Sequence, residues 1–155
     1  MDIQLIEVTE AHRDAVLAGP EKLAALTGLT VPSDWPSYPD IFRRPAKGDW
    51  PLFLFASVSE QSIVGNGGFL NEPDDCNRAQ IGYEIAPKYR NRGFATDAMK
   101  QVLARRPGIH VVAITEQPTG ASASVLMKLG LALSGSIQVP GSSCSYFWSS
   151  HASAA

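Results

Sequence analysis

One segment of this chain combines the residue types and spacing needed to bind a phosphate. It reads IGYEIAPKYRNRGFAT over residues 81–96, an apolar stretch followed by a short basic loop and a helix start. The first N–H groups of a helix lack intrahelical acceptors, and the helix dipole places partial positive charge there. Gly93 lets a ligand approach the backbone, while Arg90 and Arg92 add charged donors. The segment favours a phosphate or pyrophosphate site, although a solvated basic loop that caps a helix has the same spacing.

Other patterns that suggest chemistry are less complete. Residues 65–68, GNGG, lack the third glycine of a phosphate loop because Leu70 stands there, so a bulged or closely packed strand is the better interpretation. Residues 120–124, GASAS, nearly match the G-x-S-x-G turn of ester hydrolases, so ester hydrolysis with Ser122 as the nucleophile is one hypothesis. The three histidines have no ligand spacing, so we predict no metal site.

The hydrophobic pattern predicts the elements that position this segment. Strands are expected over residues 3–8, 52–58, 62–70, 79–86, 110–115, 131–138 and 144–149. Helices are expected over 10–18 and 20–26, after residue 94, and around 122–129. The proline-rich stretch 28–49 is predicted to be a long loop with a helical turn near 41–44. The strand over 110–115 is nearly all apolar, so we expect both of its faces to be buried. The order predicts a mixed α/β sheet.

Composition limits the class of protein. The length of 155 residues indicates one domain, predicted over residues 1–149, with a flexible tail over 150–155. The net charge of −2 offers no basic excess for nucleic acid. No apolar run approaches a membrane span, and the first residues do not resemble a signal peptide. Cys76 and Cys144 are expected to be free thiols, which favours a cytoplasmic protein.

Two blocks of the sequence resemble the GNAT superfamily of N-acetyltransferases. Residues 90–95, RNRGFA, are similar to its (Q/R)-x-x-G-x-(G/A) signature. The wider stretch 82–98 looks like the branch that includes the ribosomal-protein N-terminal acetyltransferases. Residues 118–131, PTGASASVLMKLGL, are similar to that branch's P-x-N-x-A-S-x-x-V-L-x-K-L-G-F. The resemblance implies the GNAT fold, an α/β architecture with a mixed, mostly antiparallel central sheet flanked by helices, whose fourth and fifth strands splay apart.

The resemblance also implies acetyl-CoA as the acyl donor and direct transfer to a primary amine in a ternary complex. The acceptor would be a small-molecule amine or a peptide N-terminus, and the protein a monomer or homodimer. Ser122 would act in proton transfer to the leaving thiolate. A backbone N–H near Ile85 would polarise the thioester carbonyl. The residues expected to bind the donor are Glu84, Ile85, Ala86, Arg90, Asn91, Arg92, Gly93, Phe94, Ala95, Thr96, Thr119, Ser122 and Lys128.

The sequence departs from the family pattern at positions that matter for catalysis. Thr119 replaces the usual asparagine, and Gln80 replaces a carboxylate that many relatives carry, so residue 80 cannot act as a base. No tyrosine matches the general acid of some members. Glu84 and Glu116 are the nearest carboxylates, and Glu84 is a candidate for general base or for a structural hydrogen-bonding role. These departures keep open a non-catalytic acyl-CoA-binding sensor module.

Aromatic residues supply two candidate walls for an acceptor pocket. Trp35, Tyr38 and Trp50 flank the proline-rich loop, while Tyr146 and Trp148 lie on the last predicted strand. Aromatic faces suit an apolar or cationic acceptor. Hydrophobic anchoring of the loop and packing of the core explain the same residues, and the sequence leaves both interpretations open.

Overall fold

Seven strands form one mixed sheet in the computed structural model, which describes residues 2–44, 50–138 and 140–150. The strands are β1 (Ile3–Glu7), β2 (Leu52–Ser57), β3 (Ser62–Phe69), β4 (Arg78–Ile85), β5 (His110–Thr115), β6 (Leu131–Gln138) and β7 (Cys144–Ser150). The helices are α1 (Glu10–Ala18), α2 (Pro20–Thr27), α3 (Phe94–Ala104) and α4 (Ala121–Lys128), with 3₁₀ helices at Pro39–Arg43 and Pro87–Tyr89. The spatial order β1-β2-β3-β4-β5-β7-β6 contains one parallel pair, β4–β5, which confirms the predicted mixed, mostly antiparallel sheet.

The parallel pair β4–β5 separates soon after it forms. β4 pairs with β3 through Ile85, but it pairs with β5 only over Arg78–Gln80, opposite His110–Val112. From Ile81 to Ile85 the β5-facing edge of β4 therefore has no strand partner among the described residues. This is the predicted splay of the fourth and fifth strands.

Helix α3 is held by its apolar face. Ala98, Met99 and Val102 are fully buried, as their i, i+1 and i+4 spacing on one helix face requires. The helix packs against β1, β3, β4 and α4. Its N-cap is Gly93, in a left-handed conformation that costs glycine little. Burial of one face thus fixes the start of α3 beside the end of β4.

The aromatic residues of the proline-rich loop and of the last strand are mostly structural. Trp35 is 4% exposed, and its indole N–H donates to Asn66 Oδ1 at 3.0 Å. Its ring packs edge-on against Phe42. Trp148 is buried and donates to Thr115 Oγ1 at 3.0 Å. These contacts confirm loop anchoring for Trp35 and core packing for Trp148.

The glycine-rich stretch of β3 is a close backbone contact. A Cβ atom at Gly65 would stand 2.1 Å from the carbonyl oxygen of Glu84, and one at Gly67 would stand 2.7 Å from the Phe55 ring. Neither distance is possible for a side chain, so only glycine lets β3 pass between β2 and β4. The interpretation as a closely packed strand is confirmed.

One expectation about burial is wrong. β5 was expected to be buried on both faces, but only Val111 and Ala113 are buried, and Ile114 is 46% exposed. Helix α4 packs on β5 and β6, whereas the opposite face of this half of the sheet has no cover among the described residues. The apolar composition of β5 therefore predicts more burial than the structure shows.

The C-terminal boundary differs slightly from the expectation. Ser150 still belongs to β7, where its hydroxyl oxygen accepts the Val111 N–H at 3.0 Å. The rest of the predicted tail, residues 151–155, lies outside the described residues. Within the part of the chain that is described, no helix is long and apolar enough to cross a bilayer.

Candidate active site

A cavity of about 520 Å³ opens where β4 separates from β5. It falls within the size range of small-ligand pockets. Its lining residues are Tyr38, Tyr83, Glu84, Ile85, Tyr89, Arg90, Asn91, Gly93, Phe94, Ala95, Thr96, Ala121, Ser122, Ser124, Val125 and Lys128. The basic loop, the first turn of α3 and the first turn of α4 thus meet around one space.

The start of α3 presents unpaired amides to this cavity. The first intrahelical bond runs from the Asp97 N–H to the Gly93 carbonyl at 3.0 Å, so the N–H groups of Phe94–Thr96 have no acceptor within the helix. Gly93 has φ +81°, and no described atom lies within 4 Å of the place where a Cβ would stand. The residues of this turn line the cavity, so three N–H groups without an intrahelical acceptor lie at its wall, an arrangement suited to a phosphate.

Helix α4 adds a second set of free amides. Its first intrahelical bond joins the Ser124 N–H to the Gly120 carbonyl at 2.9 Å, which leaves the N–H groups of residues 121–123 without an intrahelical partner. Gly120 is the N-cap, and no described side chain caps the helix. Thr119, expected from the resemblance to bind the donor, does not line the cavity.

The backbone of β4 offers alternate peptide groups to its free edge. The Ala86 N–H donates to the Val64 carbonyl at 2.8 Å, and the Gln80 carbonyl accepts from Leu70 at 2.7 Å, so the even-numbered residues bond to β3. Peptide groups alternate along a strand, and those of Ile85 therefore point to the side where β5 is absent. Of the three β4 residues expected to bind the donor, only Ile85 directs its peptide groups to the free edge, and Ala86 is fully buried outside the cavity lining.

Two neighbouring residues of β4, Tyr83 and Glu84, line the cavity on opposite faces of the sheet. Consecutive strand residues point to opposite faces. The Tyr83 hydroxyl donates to the Ser122 carbonyl of α4 at 3.1 Å, and burial raises the pKa of Tyr83 to about 12. Glu84 lies on the other face, where its carboxylate accepts the backbone N–H groups of Ser37 at 2.6 Å and Tyr38 at 3.2 Å. The cavity therefore runs past the free edge of β4 from α4 to the loop that contains Tyr38.

The sequence matches the family model of the acetyltransferase (GNAT) domain over residues 3–132. This chain belongs to the GNAT acetyltransferase family. A curated relative, the uncharacterized N-acetyltransferase YjdG of Bacillus subtilis (strain 168), is 27% identical over 85 residues. The alignment covers 52% of this chain and 51% of YjdG, so the chain matches about half the length of that curated relative.

Solved GNAT structures share the fold over nearly the whole chain. A spermidine N-acetyltransferase chimera, SpeG from Vibrio cholerae and hSSAT, superposes with a TM-score of 0.67 at 11% identity over 97% of this chain and 95% of that one. RimL, a ribosomal L7/L12 alpha-N-protein acetyltransferase in complex with coenzyme A, gives 0.67 at 19% identity over 96% and 93%. At these identities the likeness shows the fold alone.

Some residues predicted to bind the donor of this GNAT domain lie elsewhere. The Arg92 guanidinium donates to Glu60 at 2.6 Å and stacks 4.9 Å from the Phe94 ring centre. Its side chain is thereby committed to the surface, and Arg92 does not line the cavity. Arg90 does line it, and its Nε donates to the Ile85 carbonyl at 3.1 Å. Lys128, at the end of α4, is the other cation in the lining.

The GNAT cavity also contains residues that the sequence analysis did not select, namely Tyr83, Tyr89, Ala121, Ser124 and Val125. The helix period could have found two of them, because Ala121, Val125 and Lys128 lie on one face of α4. Tyr38, one of the aromatic residues considered for an acceptor wall, does line the cavity, on a loop that crosses to β4. No group of His, Cys, Asp and Glu in the described ranges could hold a metal ion.

Proposed function

We propose that this GNAT domain transfers the acetyl group of acetyl-CoA to a primary amine, by direct attack of the amine within a ternary complex. The observation that carries the proposal is the cavity at the free edge of β4, which joins the two helix N-termini to the opposite face of the sheet. Such a passage allows a donor and an acceptor to approach one point from opposite faces.

The residues present fit a phosphate-containing donor. The amides of Phe94–Thr96 face open space, and Arg90 and Lys128 are cations in the lining. The free edge at Ile85 can extend a ligand by backbone pairing, as a strand would. Acetyl-CoA, when bound, supplies an acetyl thioester at the far end of such a ligand.

The chain's own groups then act around the thioester. The Ile85 N–H, directed to the free edge, would donate to the carbonyl oxygen as negative charge develops on it. The Ser122 hydroxyl lies in the lining and would pass a proton toward the departing thiolate. The cavity has no cysteine among its described lining residues, which supports direct transfer over an acyl-cysteine route.

A primary amine suits the other side of the cavity. An alkylamine is protonated at neutral pH, with an ordinary pKa near about 10.4. Glu84 is the only acidic side chain among the described lining residues, and Tyr38, whose backbone N–H donates to it, also lines the cavity. A carboxylate and an aromatic face both attract a cation. SpeG is named for spermidine and RimL for a protein N-terminus, so a small amine and a peptide N-terminus are the acceptor classes we propose.

We further propose that the protein works in the cytoplasm as a monomer or homodimer, without nucleic acid or membrane partners. The support is indirect: Cys76 and Cys144 are free, and the net charge is −2.

A thiol-release screen tests the proposed activity. Purified protein is incubated with acetyl-CoA and a panel of polyamines, amino acids and N-terminal peptides, and free thiol is followed over time. We expect turnover with at least one amine and a mass increase of one acetyl group on that amine. Tight acetyl-CoA binding without turnover on any amine would favour a non-catalytic acyl-CoA sensor.

A further inference from the structure

We propose that Glu84 is a positioning residue, whose carboxylate holds residues 35–38 (the acceptor loop) against β4 and so sets Tyr38 beside the acceptor. The inference rests on the proposed acetyl transfer and names the group that shapes its acceptor side. It differs from a general-base role for Glu84, in which the carboxylate would take a proton from the attacking amine.

The first support is the way in which the carboxylate is occupied. Oε2 accepts the Ser37 N–H at 2.6 Å, and Oε1 accepts the Tyr38 N–H at 3.2 Å. Two consecutive amides therefore converge on one side chain that is 46 residues away along the chain. A charged acceptor with two oxygens suits this pair of donors better than any neutral side chain.

A second tie holds the start of the same loop. The Trp35 indole donates to Asn66 Oδ1 at 3.0 Å, and Asn66 is 5% exposed. Asn66 is the register partner of Glu84 across β3 and β4, so the two side chains share one face of the sheet. Asn66 and Glu84, neighbours on two strands, therefore bind opposite ends of the four-residue acceptor loop.

The loop presents one free aromatic ring. Tyr38 is 72% exposed, although its backbone is held by Glu84, and it lines the cavity. An exposed ring at a fixed place can contact a ligand without first being ordered. Its face suits the ammonium or an adjacent cationic or apolar part of the acceptor.

The first experiment compares kinetic constants in Glu84→Gln. Glutamine keeps one oxygen but turns the other acceptor into a donor, which would face an N–H. We expect KM for the acceptor to rise roughly tenfold, kcat to change by less than about threefold, and acetyl-CoA affinity to stay the same, the pattern of lost binding rather than lost chemistry. The pH profile should keep its acid limb.

Asn66→Ala supplies the matched variant, because Asn66 has no titratable group and does not line the cavity. We expect it to reproduce the increase in acceptor KM. Tryptic cleavage after Arg43, just beyond the loop, should be faster in Glu84→Gln and in Asn66→Ala. Tyr38→Ala should raise acceptor KM without faster cleavage. Circular dichroism checks that each variant is folded.

Two results would overturn the proposal. One is a fall in kcat of roughly 10²–10⁴-fold in Glu84→Gln, with loss of the acid limb and no effect in Asn66→Ala, as a general base requires. The other is an unchanged rate of tryptic cleavage in both Glu84→Gln and Asn66→Ala, which would show that these two side chains do not hold the acceptor loop. If the wild-type protein acetylates no amine, the proposed function fails. The tryptic cleavage rates still show whether Glu84 and Asn66 hold the acceptor loop against the sheet.

Discussion

Gly93 controls how closely an anion can approach the first turn of α3. It has φ +81° and open space where a Cβ would stand. We predict that Gly93→Glu lowers acetyl-CoA affinity at least about tenfold, because its carboxylate would stand near the donor's phosphates. Isothermal titration calorimetry measures the change.

Gly108→Glu is the matched control for this substitution. Gly108 has φ +87° and similar open space, but it does not line the cavity. Both variants carry the same backbone strain and the same added charge. Equal loss of affinity in the two variants would contradict the assignment of the α3 N-terminus as the phosphate site.

Ser122 is placed to affect chemistry rather than binding of the donor. We predict that Ser122→Ala lowers kcat while leaving acetyl-CoA affinity nearly unchanged, as expected for an interaction made mainly in the transition state. Ser124 lies two residues further along the same helix and also lines the cavity, and Ser124→Ala should retain kcat. Steady-state kinetics with the acceptor found in the screen provides the measurement. A Ser122→Ala variant with full turnover would show that the hydroxyl has no catalytic role.

Tyr83 links stability to high pH. Burial raises the pKa of Tyr83 in the folded protein to about 12, above the ordinary value of 10. The fold therefore favours the protonated phenol, and this stabilisation is lost as pH rises through the interval between those values. We predict that Tyr83→Phe is destabilised by about 1 kcal/mol near about pH 9, from the lost hydrogen bond to Ser122.

The same variant should behave differently in alkali. Above about pH 11 the unfolding free energy of the wild-type protein falls by up to about 2 kcal/mol, because Tyr83 ionises more readily in the unfolded chain. Tyr83→Phe does not have this loss, so the difference in unfolding free energy between the two proteins should shrink or reverse. Urea denaturation at the two pH values measures it. A difference that does not change with pH would show that Tyr83 ionises as an exposed tyrosine does.

Helix α3 keeps its amides in position through its buried face. Met99 is fully buried and packs within the core, whereas the next residue, Lys100, is exposed. We predict that Met99→Ala lowers the free energy of unfolding by about 2–5 kcal/mol, while Lys100→Ala changes it by less than about 0.5 kcal/mol. Denaturant titration followed by circular dichroism checks both values. Similar values for the two variants would mean that this face of α3 does not anchor the helix.

Most elements were predictable because their periodicity is local. The apolar spacing of α3 and the glycines that close α1 and α4 placed the helices close to their observed ends. The burial of β5 was not predictable in this way, because it depends on which face of the sheet a distant helix covers. Ile114 is exposed for that reason although the three residues before it are apolar.

At the scale of the whole molecule, donor binding should stabilise the fold. A ligand at one hundred times its Kd adds about 2.7 kcal/mol if it binds only the folded state. For a domain of this size we expect acetyl-CoA to raise the melting temperature by roughly 5–10 °C. Differential scanning fluorimetry measures the shift. At the same ligand concentration a tenfold weaker Kd leaves about half of this stabilisation, so Gly93→Glu should show about half of the shift or less and Gly108→Glu should keep it. No shift in the wild-type protein would count against the donor site.

The amino-acid sequence by itself determined the family, the mixed sheet and the turn at Gly93 that we propose binds phosphate. These follow from short segments whose residues act through their own backbone, as Gly93 and the amides after it do. Local spacing also placed Ser122 at the start of a helix. It could not show that Ala86, Arg92 and Thr119 lie outside the cavity lining, because the hydrogen bonds of Ala86 and Arg92 and the start of α4 at Gly120 depend on the folded chain.

Only the tertiary structure decided what Glu84 faces. Strand parity put Glu84 opposite Tyr83 but left open which face was which, and the answer depends on a loop 46 residues earlier. The same holds for Tyr38, which lines the cavity on a loop that contacts Asn66 and Glu84, neighbours on β3 and β4. Contacts between segments distant in sequence arise from the packing of the whole chain, and no local period encodes them.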